Sequence, residues 1–232
     1  MRSDVGASLM IIGASLAVVG YIEPGLIPLM VLGLSAFIVG LLVQWDEGAM
    51  EQTIINLSSA AWDNVSALVE SAGLANSGVY LPSSMANGEP MVLVPSTPVG
   101  NLRNLRVIGK PLATYGAGLT GLLLASPGSR VALTCRDSLT SDLESSLKNC
   151  LTRQFPLARG VTVTETGGEV TVRVDGPRLI DVYGGSTVKA IFGSAIASAV
   201  AAIVAEVLNR PFIIQEESRA GGALLIRLRG VG

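Results

Sequence analysis

The 232-residue chain contains no histidine and only two cysteines, Cys135 and Cys150. Catalytic triads with an imidazole base, histidine-ligated haem and most zinc sites are therefore excluded. Two cysteines alone also cannot close a structural zinc site, because such a site takes four protein ligands. We therefore expect no catalytic residue, no metal site and no cofactor. An enzyme that works without histidine stays open as an alternative.

Two states are open for the cysteines, which lie fifteen residues apart in the sequence. The pattern favours two reduced, half-buried thiols. A disulfide between Cys135 and Cys150 is the alternative, and a loop of this length would make it worth about 3 kcal/mol. It is expected if the domain faces an oxidising compartment, or if the source is a hyperthermophile with an oxidised cytosol.

Basic residues are nearly absent from the first part of the chain. Residues 1–102 hold one of them, Arg2, against eight acidic residues, whereas residues 103–232 hold fifteen basic and ten acidic residues. No block of like charges exceeds three residues. The sequence therefore has no polybasic arm for nucleic acid or anionic lipid, and we expect no nucleic-acid partner.

Two long apolar runs stand out in the first 45 residues. Val5–Val19 and Leu26–Val43 contain no charged residue, and Tyr21–Gly25 separates them. The second run is long enough to cross a bilayer, while the first needs its flanks or some local thinning of the membrane. We therefore predict that residues 1–46 form a two-helix transmembrane hairpin and that residues 47–232 form a soluble domain.

Glycines recur at seven-residue intervals in both apolar runs. Because seven residues make nearly two helical turns, the glycines of each run lie on one face of its helix. Glycine lets helix backbones approach closely in lipid, where no hydrophobic drive brings them together. The spacing therefore predicts a tightly packed hairpin. The predicted packing residues are Gly6, Gly13, Gly20, Gly33 and Gly40.

Aromatic and charged residues at the ends of the two runs bear on membrane topology. Tyr21 and Trp45 lie where the first and second spans end, as residues of an aromatic belt would. Arg2 precedes the first span, which favours a two-pass protein of the cell membrane with a cytoplasmic C-terminal domain. Two N-glycosylation sequons, at residues 56–58 and 64–66, point the other way but fall in a predicted helix. A cleaved signal peptide is disfavoured because the second span follows so closely.

The rest of the sequence reads as helices followed by pairs of strands. Amphipathic or apolar helices are predicted over residues 47–73, 138–155 and 187–208. Strands are predicted over residues 78–81, 91–94, 105–108, 121–125, 130–134, 161–164, 169–174, 212–216 and 223–228. This order predicts an α+β domain of repeated helix-strand-strand units with a mostly antiparallel sheet.

The third of these helices is unusually apolar. Residues 190–205 carry no charge, and a stripe of small residues follows one face of the helix. A helix buried against the sheet is favoured. A close-packed homodimer seam is the second alternative, and a third membrane segment is another. The predicted helix-helix seam consists of Gly193, Ala197, Ala201 and Ala205.

One nucleotide-binding pattern is present without its structural context. Residues 116–121 match G-x-G-x-x-G, but Pro127 follows too soon for a helix to open on the last glycine. The segment therefore predicts a flexible loop that enters a strand. An enzyme without histidine would have to work with groups around Lys110, Tyr115 and Asp181.

Four segments together resemble a known family. Val79–Pro82 followed by Gly88–Pro95 resembles the paired "YxP … VFVP" strands of an archaeal family of uncharacterised membrane proteins, catalogued as a domain of unknown function. Gly121–Ser129 and Arg153–Leu157 resemble that family's next two landmarks. Members begin with a two-span hairpin, so the resemblance implies an archaeal membrane protein and brings no activity.

A second resemblance concerns only the last 70 residues. Phe212–Gly221, with the apolar helix before it and the strand after it, is similar to the tail of 4-vinyl-reductase-type ligand-binding domains. Those domains carry cysteines near the positions of Ser218 and Ala223, and this chain lacks them. The resemblance therefore implies no metal site, but it does imply an apolar pocket between the third helix and the sheet.

These observations favour a membrane-anchored, non-catalytic protein that binds a partner protein or a small apolar ligand. The expected partners are the lipid bilayer and either a second copy of the chain, another protein or an apolar small molecule. A structural subunit of a larger membrane assembly is one alternative. The other is the enzyme without histidine.

Overall fold

The computed structural model describes residues 2–74, 76–97, 99, 102, 105–109, 112–115, 119–178 and 186–231. The chain divides into two compact units, an N-terminal unit at Met1–Ser58 and a C-terminal unit at Ser59–Gly232. Among the described residues there are six α-helices and a nine-stranded sheet. The predicted α+β class is therefore confirmed.

The N-terminal unit is a helical hairpin. Helix α1 (Arg2–Ile22) ends at a short 3-10 turn over Pro24–Leu26, and helix α2 (Ile27–Ser71) follows at once. Pro24 suits the first position of the turn because it has no N–H to leave unpaired. No proline interrupts the sequence from residue 29 to residue 71. Helix α2 therefore continues without a break into residues 47–71, which were predicted to belong to a separate helix. The predicted boundary between hairpin and soluble domain, at residues 46 and 47, falls inside α2.

The sheet of the C-terminal unit is antiparallel at every pairing in the described residues. Its strands stand in the order β3-β4-β5-β2-β1-β8-β9-β7-β6. The strands are β1 (Val79–Leu81), β2 (Met91–Pro95), β3 (Arg106–Gly109), β4 (Leu112–Tyr115), β5 (Leu119–Leu124), β6 (Gly160–Thr166), β7 (Glu169–Asp175), β8 (Phe212–Ala220) and β9 (Ala223–Gly230).

Four further helices belong to the C-terminal unit: α3 (Pro127–Thr134), α4 (Leu143–Lys148), α5 (Ser186–Phe192) and α6 (Ala195–Leu208). Helix α4 continues as a π-helical turn over Asn149–Gln154. It begins later than predicted because Asp142 caps it, with Oδ2 accepting the Ser145 N–H at 2.8 Å. Hydrogen bonding from Ser145 also lowers the pKa of the Asp142 carboxyl.

The segment after β5 corrects a prediction. Residues 130–134 were expected to form a strand after a turn, yet they belong to helix α3. The Ser126 hydroxyl accepts the Ser129 N–H at 3.1 Å, and the Ser129 hydroxyl accepts the Ser126 N–H at 3.3 Å. This reciprocal capping, with Pro127 at the first helical position, starts a helix despite the β-branched Val131.

The predicted third helix is also corrected, because it breaks into α5 and α6. Gly193 adopts a left-handed conformation with φ of 68° and ends α5. Ser194 then starts α6, with its hydroxyl accepting the Ala197 N–H at 3.1 Å. Glu217 of β8 accepts the Ser194 N–H at 2.9 Å. Gly193 therefore lies at a helix break and is not part of a stripe on one continuous helix.

Helix α6 forms the centre of the main core, so the favoured prediction of a buried helix is confirmed. Every residue from Ile196 to Ala205 is buried, and the helix packs against β1 and β8 of the sheet. Ala197, Ala201 and Ala205 have no exposed surface at all. Strands β7 and β9 add buried valine, leucine and isoleucine side chains to the same core.

The closest helix contact in this core joins α3 to α6. A Cβ atom placed on Gly128 would overlap the carbonyl group of Ser198. The Gly128 N–H donates to the Ser198 hydroxyl at 3.2 Å, and that hydroxyl donates to the Ser126 hydroxyl at 3.0 Å. The buried serines are thus hydrogen-bonded to one another, as buried polar groups must be.

Cys135 and Cys150 lie on the same core. Cys135 follows α3 and Cys150 lies in the π-helical turn, both fully buried, with Cα atoms 5.7 Å apart. The structure pairs them as a disulfide. This is the alternative to the reduced, half-buried thiols that the sequence favoured.

We expect Gly128→Ala to destabilise the C-terminal unit by about 1–3 kcal/mol, because the new methyl group forces α3 away from α6. Gly160→Ala is the matched control, since its Cβ would lie 3.8 Å from the nearest atom, Oδ2 of Asp175. The free energy of unfolding is measured by denaturant titration of the full chain through the fluorescence of Trp62, in a shared Trp45→Phe background. Equal stabilities of the two variants would contradict the close contact.

Candidate functional site

The N-terminal hairpin is held by direct contact between helix backbones. The Cβ position of Gly13 lies 2.5 Å from the backbone N of Phe37 and 2.7 Å from the carbonyl O of Gly33. The Cβ position of Gly40 lies 2.8 Å from the carbonyl O of Gly6. Since real Cβ atoms do not come this close to backbone, no other L-amino acid fits here unless the helices separate.

The antiparallel register brings all five predicted glycines into this seam. At the turn end of the hairpin, a Cβ atom on Gly20 would overlap the backbone of Met30. Gly13 and Gly33 meet in the middle, and Gly6 and Gly40 meet at the far end. Between residues 5 and 42, these five glycines are the buried residues among those described. The hairpin therefore has glycine and backbone at the centre of its seam, and large side chains such as Met10 and Met30 flank that centre half-buried.

The outer surface of the hairpin is apolar on all sides. Sixteen of the eighteen exposed large apolar side chains in the described residues lie between Val5 and Leu42. They are Val5, Ile11, Ile12, Val18, Val19, Tyr21, Ile22, Leu26, Ile27, Val31, Leu32, Leu34, Ile38, Val39, Leu41 and Leu42. Monomeric soluble proteins rarely expose a continuous apolar surface of this kind.

Two exposed hydroxyl groups on this surface are hydrogen-bonded within their own helices. Ser15 Oγ donates to the carbonyl O of Ile11, and Ser35 Oγ donates to the carbonyl O of Val31, each at 2.8 Å. These bonds satisfy the donors without water. A serine is tolerated in a bilayer when its hydroxyl donates to a carbonyl of its own helix, because lipid tails offer no hydrogen-bond partner.

The length of helix α1 matches the thickness of a bilayer's hydrocarbon core. Helix α1 has 21 residues, and at ~1.5 Å per residue it is about 30 Å long. This equals the thickness of a typical hydrocarbon core, about 30 Å. Tyr21 lies at the end of α1 with 80% of its surface exposed, where an interfacial aromatic residue is expected. Trp45 lies in α2, but its side chain is outside the described part of the chain.

The residues considered for an enzyme are not brought into one described site. Lys110 and Asp181 lie outside the described residues, and so do residues 116–118 of the G-x-G-x-x-G pattern. Tyr115 ends strand β4, although its side chain is not described. Leu119–Leu124 forms strand β5. The last three residues of the G-x-G-x-x-G pattern therefore lie in a strand, as predicted, and not at the start of a helix.

Two surface cavities in the described residues lie away from the predicted pocket between the third helix and the sheet. One, of about 560 Å³, is lined by polar residues around the π-helical turn after α4. The other, of about 400 Å³, lies beside the β6–β7 turn and holds Arg210 and Arg229. No local sequence pattern singles out these two arginines, because only the pairing of distant strands brings them together.

The chain belongs to the family described as "Domain of unknown function (DUF7982)", whose profile matches residues 6–229. The match takes in nearly all of the hairpin and of the C-terminal unit. The expected membership of a family of unknown function is therefore confirmed, while the archaeal source and the membrane location stay predictions. No curated protein and no solved structure matches the chain.

We expect Gly13→Leu and Gly33→Leu to separate α1 from α2, because a leucine side chain would occupy the volume of the facing backbone. Gly25→Leu is the matched control, since nothing lies within 4 Å of the Cβ position in the turn. Proteinase K digestion and thermal unfolding of the full chain in detergent micelles measure the effect. Both seam variants should be cut faster between the helices and should lose helicity at a lower temperature.

An unchanged digestion pattern and melting curve in both seam variants would contradict the backbone seam. Digestion of the C-terminal unit serves as the internal reference, because its fold should be the same in all three variants.

Proposed function

We propose that the chain is a non-catalytic protein anchored in the cell membrane, with α1 and the first part of α2 crossing the bilayer as a two-pass hairpin. The observation that carries the proposal is the apolar surface that surrounds the hairpin on all sides. Burying apolar surface contributes roughly 25 cal/mol per Å². A hairpin with sixteen exposed large apolar side chains is therefore far more stable in lipid than in water.

The distribution of these side chains favours lipid over a single protein partner. A partner helix or sheet would cover one stripe, with apolar residues at three- and four-residue steps. Here adjacent residues such as Ile11 and Ile12, Val18 and Val19, and Leu41 and Leu42 are exposed together. Apolar residues in such pairs point in different directions around the helix, as expected of a segment with lipid on all sides.

The same two spans place both ends of the chain on one side of the membrane. Arg2 before the first span favours the cytoplasmic side for the N-terminus, and the second span returns the chain to that side. The archaeal origin implied by the sequence resemblance agrees with a cell-membrane location. In this proposal the hairpin holds the α+β unit at the cytoplasmic face of the membrane.

We assign a binding role to the C-terminal unit, with a partner protein or a small apolar ligand as its target. The complete absence of histidine from the sequence favours binding over acid-base catalysis, because histidine is the commonest general base.

We expect the double substitution Ile12→Asp and Ile38→Asp to release the chain from membranes. An aspartate at the centre of a span costs about 2.5–3.5 kcal/mol in insertion free energy. Alkaline extraction of membranes, followed by detection of the full chain in pellet and supernatant, measures the change. The wild-type chain should remain in the pellet and the double variant should move substantially to the supernatant.

Leu112→Asp is the matched control, because Leu112 is an exposed apolar side chain of the C-terminal unit with 52% of its surface accessible. It should leave the extraction behaviour unchanged. If the wild-type chain itself is extracted by alkali, or if the double variant stays in the pellet like the control, the hairpin does not span the membrane.

A further inference from the structure

We propose that the 400 Å³ cavity beside the β6–β7 turn, which we call the arginine cavity, is a binding site for the phosphate group of an anionic ligand. Its lining includes Gly168, Glu169, Arg210, Pro211, Arg229 and Gly230. The proposal concerns only the C-terminal unit and does not depend on the membrane anchor.

The fold brings the two arginines together from separate segments. Arg210 follows α6, directly after Asn209, whose left-handed conformation with φ of 48° ends the helix. Arg229 lies near the end of β9, where it pairs with Glu169 of β7 on one side and with Ile213 of β8 on the other. The connection into β8 thus ends beside the last residues of β9.

The guanidinium group of Arg210 is held in position before any ligand arrives. Its Cζ atom lies 4.9 Å from the centroid of the Phe212 ring, and Phe212 itself is fully buried. Its Nε and Cζ atoms lie 3.8 Å from the Cβ position of Gly230. Cation–π contact with a buried ring limits the freedom of the side chain. A guanidinium group whose N–H donors are already held in place loses less conformational entropy when it binds a ligand.

Among the described residues, Arg173 and Arg227 on the same sheet face are in ion pairs, and Arg210 and Arg229 are not. Arg173 Nε lies 3.0 Å from Asp175 Oδ1, and Arg227 Nη1 lies 3.0 Å from Glu216 Oε2. Within the described residues, neither Arg210 nor Arg229 has a carboxylate within ion-pair distance. Their donors are therefore available to an external acceptor.

Charge and shape both suit a phosphate. Two guanidinium groups and one carboxylate, Glu169, leave the cavity with a positive balance. Arginine forks match the geometry of phosphate oxygens and can bind them through two parallel hydrogen bonds. Gly167 and Gly168 form the turn at the rim without side chains, so the rim stays open. The volume exceeds that of a phosphate group and leaves room for part of the molecule that carries it.

The test is a calorimetric titration of the full chain in dodecylmaltoside micelles with two probes. Inorganic phosphate represents a soluble source, and dihexanoyl phosphatidic acid represents a lipid headgroup. Saturable binding of at least one probe is expected. Arg210→Gln and Arg229→Gln should each weaken it by roughly tenfold, the value for losing a hydrogen bond to a charged group.

Two further variants separate this effect from general charge and from misfolding. Arg173→Gln removes the same charge from the same sheet face and should change the affinity by less than about twofold, since that guanidinium is already paired. Glu169→Gln should tighten binding severalfold, because it removes the carboxylate from the lining. A damaged fold cannot produce this opposite sign.

The outcomes separate the two sources. Binding of phosphatidic acid alone identifies a lipid headgroup, and binding of inorganic phosphate identifies a soluble phosphate compound. In either case the cavity is a phosphate site if the arginine variants weaken the binding. The proposal is overturned if neither probe binds, or if Arg173→Gln weakens binding as much as Arg210→Gln and Arg229→Gln do.

Discussion

Two helix backbones can come into direct contact only where neither presents a side chain, and the hairpin of this protein depends on that contact. The glycines at residues 13, 20, 33 and 40 face backbone atoms of the opposite helix at distances that would exclude a Cβ atom. With glycine and backbone filling the centre of the seam, most large side chains of the hairpin point outward. The apolar surface and the glycine seam are thus two consequences of one packing arrangement. In lipid such packing matters because apolar side chains gain little by meeting each other there.

Hydropathy alone does not separate two of the apolar helical segments in the described residues. Residues 5–22 and 187–208 have nearly equal mean hydropathies of 2.0 and 2.1. The first segment is 17% buried and the second is 72% buried. The difference lies in their neighbours, since α6 packs against α3, α4 and the sheet, whereas α1 packs against α2 through the glycine seam. The first segment therefore leaves most of its apolar surface exposed, and the second is covered by its own chain.

Local sequence signals predicted a large part of this structure. The seven-residue glycine spacing placed the seam residues on facing helices, and the strands predicted over residues 161–164 and 169–174 form the β6–β7 hairpin. Both patterns depend on residues that are close together in the sequence, within one helix or within two successive strands. The strands β8 and β9 were predicted for the same reason, although they extend to Ala220 and Gly230.

The errors arose where contacts distant in sequence decide the structure. The Pro127-Gly128-Ser129 segment has turn-forming residues, but Gly128 packs on Ser198 and the capping serines start a helix there. The break between α5 and α6 depends on Glu217, which reaches Ser194 from a strand more than twenty residues later. The arginine cavity depends on the register of β7, β8 and β9, which no local pattern specifies.

The most direct measurement of the central claim is the accessibility of nitroxide labels at positions 12 and 38 of the full chain in phosphatidylcholine vesicles. Oxygen partitions into lipid and nickel chelates remain in water, so their effects on spin relaxation distinguish the two surroundings. A hairpin surrounded by lipid predicts strong oxygen relaxation and weak nickel relaxation at both positions, with the reverse at a label on position 112. Strong nickel relaxation at positions 12 and 38 would show that the hairpin surface lies in water and would contradict the account.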